Sequence, residues 1–177
     1  MSGKDPLMME YHDKEWGTPV YDDNKIFEFL VLESFQAGLS WRTVLNKREN
    51  FEKAFAGFNP RTVAKFGKRD TVRLLKDKSI IRNRAKIEAA IDNAQRFLEV
   101  QKEFGKFSKY MWSFTGGKTM KNKIRKLSDY KSSSKEAELM AKDLKKRGFK
   151  FLGPTTIYAH MQAVGMVNDH MVGCFRG

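Results

Sequence analysis

The sequence predicts an all-α fold. Apolar residues recur at intervals of three and four through most of the chain, and the strict alternation that marks half-buried strands is absent. Capping residues stand where these patterns begin, and glycines stand where several of them end. Of the 177 residues, 41% are hydrophobic, so residues 1–177 are expected to form a single domain, or one domain of two packed lobes.

The first clearly predicted helices lie in the N-terminal half. Asp22 and Asp23 are suitable caps for a helix whose apolar residues continue to position 35, and Gly38 ends it. Ser40 opens a second helix that is expected to continue to about position 55. Pro60 suits the first position of a third helix, where its missing N–H has no intrahelical partner to lose.

Longer helices and one irregular segment follow. A short helix is predicted at about 69–76, and the longest predicted helix covers about 83–104, with an apolar stripe on one face. Residues 116–134 are rich in Gly, Ser and Lys and are expected to form an exposed basic loop. A lysine-rich helix at about 135–147 and an apolar helix at about 154–164 complete the pattern.

The charge balance is the first indication of function. The chain has 34 Lys and Arg against 21 Asp and Glu, a net charge of +13. Such an excess repels itself, and a polyanionic partner that releases its counterions is a common reason for it. DNA, RNA and an anionic membrane surface all fit this charge, and a basic protein without such a partner is the alternative.

Location is indicated by what the sequence lacks. Cys174 is the single cysteine, which excludes an internal disulfide and favours a reducing compartment. No apolar run approaches the roughly 20 residues of a membrane span, and the first residues do not form a secretory pattern. We therefore expect a cytoplasmic protein without a membrane partner.

The segment from 145 to 156 is predicted to be a helix–turn–helix hairpin with a phosphate-binding tip. Two glycines bound its turn, and Pro154 would leave the free N–H groups of the next helix's first turn facing outward. A helix N-terminus among cations binds phosphate readily. An ordinary αα-hairpin is the alternative, and four flanking cations disfavour it: Lys145, Lys146, Arg147 and Lys150. The predicted DNA-binding residues are Lys146, Gly148, Lys150, Gly153 and Thr155.

Long motifs spread over the chain resemble one family. The string GFKFLGPTTIYAHMQAVGMVNDHMVGC at 148–174 resembles the C-terminal signature of the 3-methyladenine DNA glycosylase I family. DPLMMEYHDKEWG at 5–17, LESFQAGLSWRTVLNKRENF at 32–51 and SIIRNRAKIEAAIDNA at 79–94 match the same family in the same order. The resemblance covers nearly the whole chain from position 5 onward.

This resemblance implies a helix-hairpin-helix DNA glycosylase fold of two packed helical lobes. It also implies an enzyme that hydrolyses the N-glycosidic bond of 3-methyladenine in double-stranded alkylated DNA after flipping the base out, acting as a monomer. No lyase activity is expected, because Pro154, Thr155 and Thr156 stand where a lyase would need a lysine. Alternatives are a non-catalytic helix-hairpin-helix DNA-binding protein, a glycosylase for 3-methylguanine or 7-methylpurines, and an RNA-binding protein.

Four residues are predicted to form the base pocket. Glu33 lies on an apolar helix face, where a carboxylate must be paired or directed at a ligand, and a structural ion pair is the alternative. As the predicted catalytic residue, it would accept hydrogen bonds from the amino edge of the base and favour its positive charge. The resemblance points to Tyr11, Trp41 and Glu33 for base binding. Trp16, beside an expected loop at 12–15, is a further candidate or a core residue.

A zinc site is also implied, with one ligand missing. His170 and Cys174 are four residues apart, which would place them on one helix face, although a buried thiol beside a satisfied histidine is the alternative. The resemblance implies a structural zinc bound by His12, His170, Cys174 and a cysteine upstream of Asp5. The sequence has no such cysteine. Either the sequence begins too late, or three residues and water bind zinc, or the site is empty, so weak or partial occupancy is expected.

Overall fold

The computed structural model describes residues 5–177, and helices dominate it. The predicted all-α class is confirmed, and no helix in this range is long and apolar enough to cross a bilayer. The helices are α1 (Pro6–Lys14), α2 (Asp23–Gln36), α3 (Trp41–Asn46), α4 (Arg48–Ala54), α5 (Pro60–Val63), α6 (Lys68–Lys76), α7 (Arg84–Phe104), α8 (Phe107–Ser113), α9 (Lys135–Lys146) and α10 (Pro154–Ala163). Two short strands, β1 (Met120–Lys121) and β2 (Val167–Asn168), pair in parallel.

Helix α2 is the central element of the core. Every residue from Ile26 to Phe35 except Glu28 is buried, because α2 packs against α3, α7, α8 and α10. A helix that is apolar on nearly all sides must be surrounded in this way. A polar side chain among these buried positions, such as that of Glu33, therefore lies either in the core or beside a cavity within it.

The predicted residues at the starts of three helices are confirmed, two as caps and one as the first helical residue. The backbone N–H of Lys25 donates to the Asp22 carboxylate (2.8 Å), and that of Thr43 to the Ser40 hydroxyl (3.2 Å). Pro60 occupies the first position of α5. Asp23 acts differently, since its carboxylate accepts from the backbone N–H groups of residues 107 (2.8 Å) and 108 (2.9 Å) and so caps α8.

Several elements differ from the sequence-based expectation. Residues 12–14, expected in a loop, belong to α1, whose start is capped by Asp5 (3.1 Å to the N–H of Leu7). The helix expected from Ser40 to position 55 breaks at Lys47 into α3 and α4. The prediction did not include α8 or the paired strands, because two-residue strands have no alternation to detect. Their pairing is a contact between distant parts of the chain.

A close backbone approach joins the segment after α1 to the end of α10. Gly165 has φ +73°, and a Cβ there would lie 2.2 Å from the carbonyl carbon of Thr18. The backbone N–H of Val20 donates to the carbonyl of Val164 (2.9 Å) beside it. Only glycine fits this position. The contact thus holds the segment after α1 against the end of α10.

Candidate active site

A cavity of about 750 Å³ lies where α1, α2, α3 and α10 meet the loop that precedes α9. This volume is within the range of small-molecule sites. All four predicted base-pocket residues line it, although they come from three separate helices and one turn: Tyr11, Trp16, Glu33 and Trp41. The fold thus brings together residues that the sequence separates by up to 30 positions.

Glu33 is a buried acid without an ion-pair partner among residues 5–177. Its side chain is 4% exposed, and its Oε2 atom has no hydrogen-bond partner in this range. Burial raises the pKa of Glu33 to about 8. The alternative of a structural ion pair is therefore disfavoured: Arg48, which lies over the ring of Phe29 on the same helix (5.3 Å to the centroid), binds Glu15 (2.7 Å) and Glu28 (2.6 Å) instead. Glu33 is positioned to accept a polar or cationic ligand.

Two aromatic rings stand beside this acid. The ring centroids of Tyr11 and Trp41 are 5.3 Å apart, and Tyr11 also packs on Phe29 at 6.3 Å. Trp41 is half-buried as the first residue of α3, and its Nε1 atom is buried without a partner in the described chain. Burial, with a smaller contribution from the charge of Glu33, raises the pKa of Tyr11 well above its usual value. Tyr11 therefore keeps its proton.

Trp16 lies between the cavity and a cluster of potential metal ligands. Its ring is stacked near His12 at 6.0 Å between centroids and meets the ring of His170 edge-on at 4.7 Å. It also lines the cavity. Both interpretations of Trp16 therefore have support, since one part of the side chain packs internally while another borders the cavity.

The three predicted metal ligands come together. The ligand atoms of His12, His170 and Cys174 all lie within 4.8 Å of one another, with His12 Nε2 3.9 Å from Cys174 Sγ. Tetrahedral zinc would place nitrogen and sulfur ligands roughly 3.6 Å apart. The prediction that residues 170–174 form a helix was wrong, because they follow β2 in successive turns.

Neighbouring side chains orient both histidines. His12 Nδ1 lies 2.8 Å from the Asp13 carboxylate, and His170 Nδ1 lies 2.7 Å from the Asn168 side-chain oxygen. Both rings are then left with Nε2 as the ligand atom, and His170 Nε2 is buried without a partner among residues 5–177. This arrangement is typical of metal-binding histidines. The expected fourth ligand would stand upstream of Asp5, outside the described residues.

The hairpin between α9 and α10 has an open tip. Gly148 has φ +92°, and Gly153 is the extended N-cap of α10. A Cβ at Gly153 would meet no atom within 4 Å, so its backbone is accessible to a ligand. Lys146 and Thr155 are exposed beside it.

Two cations of the hairpin form ion pairs with carboxylates of the same chain. Lys150 Nζ lies 2.6 Å from the Asp92 carboxylate, so this predicted DNA contact is already paired. Arg147 binds Glu103 (2.6 Å) and Asp143 (2.8 Å). Arg147, one of the charges expected to favour phosphate binding, is therefore already paired with two carboxylates, and its part in phosphate binding stays a prediction.

The cavity has further lining residues that the sequence did not indicate. Gln162 of α10 contributes, as do Leu127, Tyr130 and Lys131 from the loop before α9. The loop residues have no periodicity from which their position could be predicted. Asp169 is also near this site, and its carboxylate accepts a hydrogen bond of 2.6 Å from the hydroxyl of Tyr158.

Comparison with known proteins gives concordant results. A family model described as methyladenine glycosylase matches residues 1–177. DNA-3-methyladenine glycosylase 1 of Escherichia coli (strain K12) is 46% identical over 171 residues, which is 97% of this chain and 91% of that protein. The structure of 3-methyladenine DNA glycosylase I from Staphylococcus aureus superposes with a TM-score of 0.95 at 40% identity, covering 98% of this chain and 92% of the other.

A further solved structure contains a ligand. It is a tyrosine-to-phenylalanine variant of a 3-methyladenine DNA glycosylase I in complex with 3-methyladenine. The TM-score is 0.95 at 40% identity, over 98% of this chain and 93% of that chain. Likeness of this extent includes the helices that form the cavity as well as the hairpin.

Proposed function

The chain belongs to the methyladenine glycosylase family, and on that basis we propose that it excises 3-methyladenine from alkylated DNA. The observation that carries the proposal is the buried, unpaired Glu33 beside Tyr11 and Trp41 in one cavity. A base taken out of the duplex needs an aromatic surface and hydrogen-bonding groups for its edge. The three side chains supply both.

Charge explains how the cavity would select its base. N3-methylation makes adenine cationic in the nucleotide, and a cation beside Glu33 favours the carboxylate form that burial otherwise disfavours. Neutral adenine lacks this attraction. Stacking on the Trp41 ring would contribute roughly 1–3 kcal/mol for either base. Selectivity therefore depends on Glu33, and general affinity on the aromatic rings.

The reaction needs little acid–base help from the protein. The bond between the base nitrogen and C1′ breaks, the methylated base leaves as a neutral molecule with the bonding electrons, and positive charge develops on the sugar. Water then adds its oxygen to C1′ and releases a proton. Asp169 is not assigned as the base for this step, because Tyr158 and Gln162 (2.8 Å) both donate to its carboxylate. Glu33 would act on the base through differential binding.

The hairpin would hold the DNA backbone. A phosphate group would accept hydrogen bonds from the free N–H groups at the start of α10 and would pair with the exposed Lys146. Gly153 has no side chain and so lets the phosphate come close to the backbone. We propose a monomeric, cytoplasmic enzyme acting on double-stranded DNA. A protein that only binds DNA would need the hairpin but not the unpaired acid in the cavity.

The decisive experiment is incubation with methylated double-stranded DNA and chromatography of the released bases. We expect free 3-methyladenine. Release of 3-methylguanine or 7-methylpurines instead would assign another substrate, and DNA binding without any release would establish the non-catalytic alternative. Borohydride trapping should give no covalent complex if lyase activity is absent, and Lys131 is the cavity lysine to replace if a complex forms.

We also propose that His12, His170 and Cys174 hold zinc weakly. A bound zinc ion would supply a cross-link between α1 and the C-terminal turns, with no part in the chemistry. Two imidazoles and one thiolate are fewer protein ligands than a structural zinc site normally has, so occupancy should be partial and sensitive to chelators. Elemental analysis before and after dialysis against EDTA tests this, and stoichiometric, chelator-resistant zinc would contradict it.

A further inference from the structure

The loop before α9 is anchored against the C-terminal turns. Ile124 is buried and forms a parallel bridge with Met171, and the backbone N–H of Val172 donates to the Ile124 carbonyl (2.7 Å). Farther along the loop, the Asp129 carboxylate accepts from the N–H groups of residues 125 (2.9 Å) and 126 (3.1 Å). These contacts give Tyr130, which follows directly, a defined position at the cavity.

Tyr130 lines the cavity and carries a buried polar atom that lacks a partner in the described chain. Its side chain is half-buried and lines the cavity, and its hydroxyl has no hydrogen-bond partner among residues 5–177. Leaving such a group unpaired is unfavourable, because it has lost its hydrogen bonds to water and gained none in return. Two other buried polar atoms without partners belong to lining residues of the same cavity, Glu33 Oε2 and Trp41 Nε1. A polar ligand in this cavity would supply the partners that these three lining residues lack within the described range.

We propose that Tyr130 is a further base-binding residue, which donates a hydrogen bond to a ring nitrogen of the flipped purine. This inference rests on the proposed function. A methylated adenine presents an amino group, which needs an acceptor, and ring nitrogens, which need donors. Glu33 supplies the acceptor, and the Tyr130 hydroxyl supplies a neutral donor that does not repel a cationic base.

The protonation state of Tyr130 agrees with a donor role. Burial, with smaller contributions from the charges of Asp169 and Cys174, raises the pKa of this phenol. It therefore keeps its proton at neutral pH. The influence of Cys174 also identifies the competing interpretation, in which the hydroxyl serves the cluster of His12, His170 and Cys174 instead of the base.

The test compares Tyr130→Phe with the wild-type chain and with Tyr21→Phe. Phenylalanine keeps the ring and removes only the hydroxyl, whereas Tyr21 is an exposed tyrosine that stacks on Trp112 away from the cavity. Calorimetric titration with free 3-methyladenine should show about three- to tenfold weaker binding for Tyr130→Phe, the loss of one neutral hydrogen bond. Tyr21→Phe should bind as the wild type does.

An analogue of the base identifies the acceptor. Replacing the contacted ring nitrogen by carbon, in 1-deaza- or 7-deaza-3-methyladenine, should weaken binding to the wild type and produce no further loss in Tyr130→Phe. Equal binding by Tyr130→Phe and the wild type would overturn the inference, as would lower zinc content with unchanged base affinity. If the wild type releases no 3-methyladenine from methylated DNA, the proposed function itself fails, whatever the difference in binding between the variants.

Discussion

The ammonium group of Lys86 donates a hydrogen bond of 2.6 Å to the carbonyl oxygen of Ala37. A second bond, of 2.9 Å, goes to the carbonyl of Phe35. These carbonyls end α2 and have no partner within the helix. Burial lowers the pKa of Lys86, yet the two acceptors compensate for the lost water. Lys86 thereby helps to hold the turn that joins α2, with Glu33, to α3, with Trp41.

Replacing this lysine should destabilise the protein and weaken base binding together. In Lys86→Met both carbonyls lose a charged donor, so the free energy of unfolding should fall by about 2 kcal/mol. Urea unfolding and titration with 3-methyladenine measure the two effects. Lys102→Met, at an exposed position of the same helix, is the control and should change neither. Unchanged stability in Lys86→Met would mean that the turn is held by other contacts.

Glu33→Gln should impair excision while the chain still folds. The amide keeps the shape of the side chain but removes the negative charge, so kcat/KM on methylated DNA should fall about 10- to 100-fold, as for a lost charge-assisted hydrogen bond. Release of free 3-methyladenine provides the measurement. Glu52→Gln, an exposed acid on α4, should retain wild-type rates. An unaltered rate in Glu33→Gln would remove this residue from the mechanism.

The same variant should alter how stability depends on pH. The folded pKa of Glu33 is about 8, above its usual 4.5, so the folded state holds more protons between these values and the wild type loses stability as pH rises through this window. Glu33→Gln lacks that loss, which amounts to about 1.4 kcal/mol for each pH unit. Chemical unfolding at pH 5, 6.5 and 8 should show a stability difference that grows in favour of the variant. A constant difference would mean that the pKa is not raised.

Arg48 should be important for stability without touching the base. Its guanidinium binds both Glu15 oxygens (2.7 and 2.8 Å) and Glu28 (2.6 Å), which joins α4 to α2 and to the segment after α1. Arg48→Met would leave two partly buried carboxylates without this partner, so the free energy of unfolding should fall by about 2–4 kcal/mol. Arg48→Lys should recover only part of this, because it lacks the planar fork. Equal stability of all three chains would contradict the argument.

Replacing Gly153 should weaken DNA binding and leave the stability of the fold unchanged. Its backbone is extended, and an added methyl group meets no protein atom within 4 Å, so Gly153→Ala should unfold as the wild type does. The methyl group would still obstruct a phosphate at the start of α10, and DNA affinity should fall about tenfold, the equivalent of one charge-assisted hydrogen bond. Gly67→Ala, at the N-cap of α6 and equally open, is the matched control. Fluorescence anisotropy at fixed salt compares them.

Local patterns accounted for the helices whose signals lie within a few residues. The caps at Asp22 and Ser40, the long helix from about position 83 and the glycine-bounded hairpin were all predicted from nearby residues. Glu33 could be singled out because a carboxylate on an apolar helix face is a local contradiction. Each of these features follows from periodicity or capping, which require no knowledge of distant contacts.

Other features could be decided only by tertiary contacts. Asp23 caps α8 rather than its own helix, the charge of Arg147 is taken by Glu103 from another helix, and Tyr130 reaches the cavity from a loop without any pattern. The sequence by itself determined which segments are helical, that a lone acid lies on a buried face and that the chain is strongly basic. The tertiary structure decided which side chains meet, because burial and pairing depend on residues that are distant along the chain.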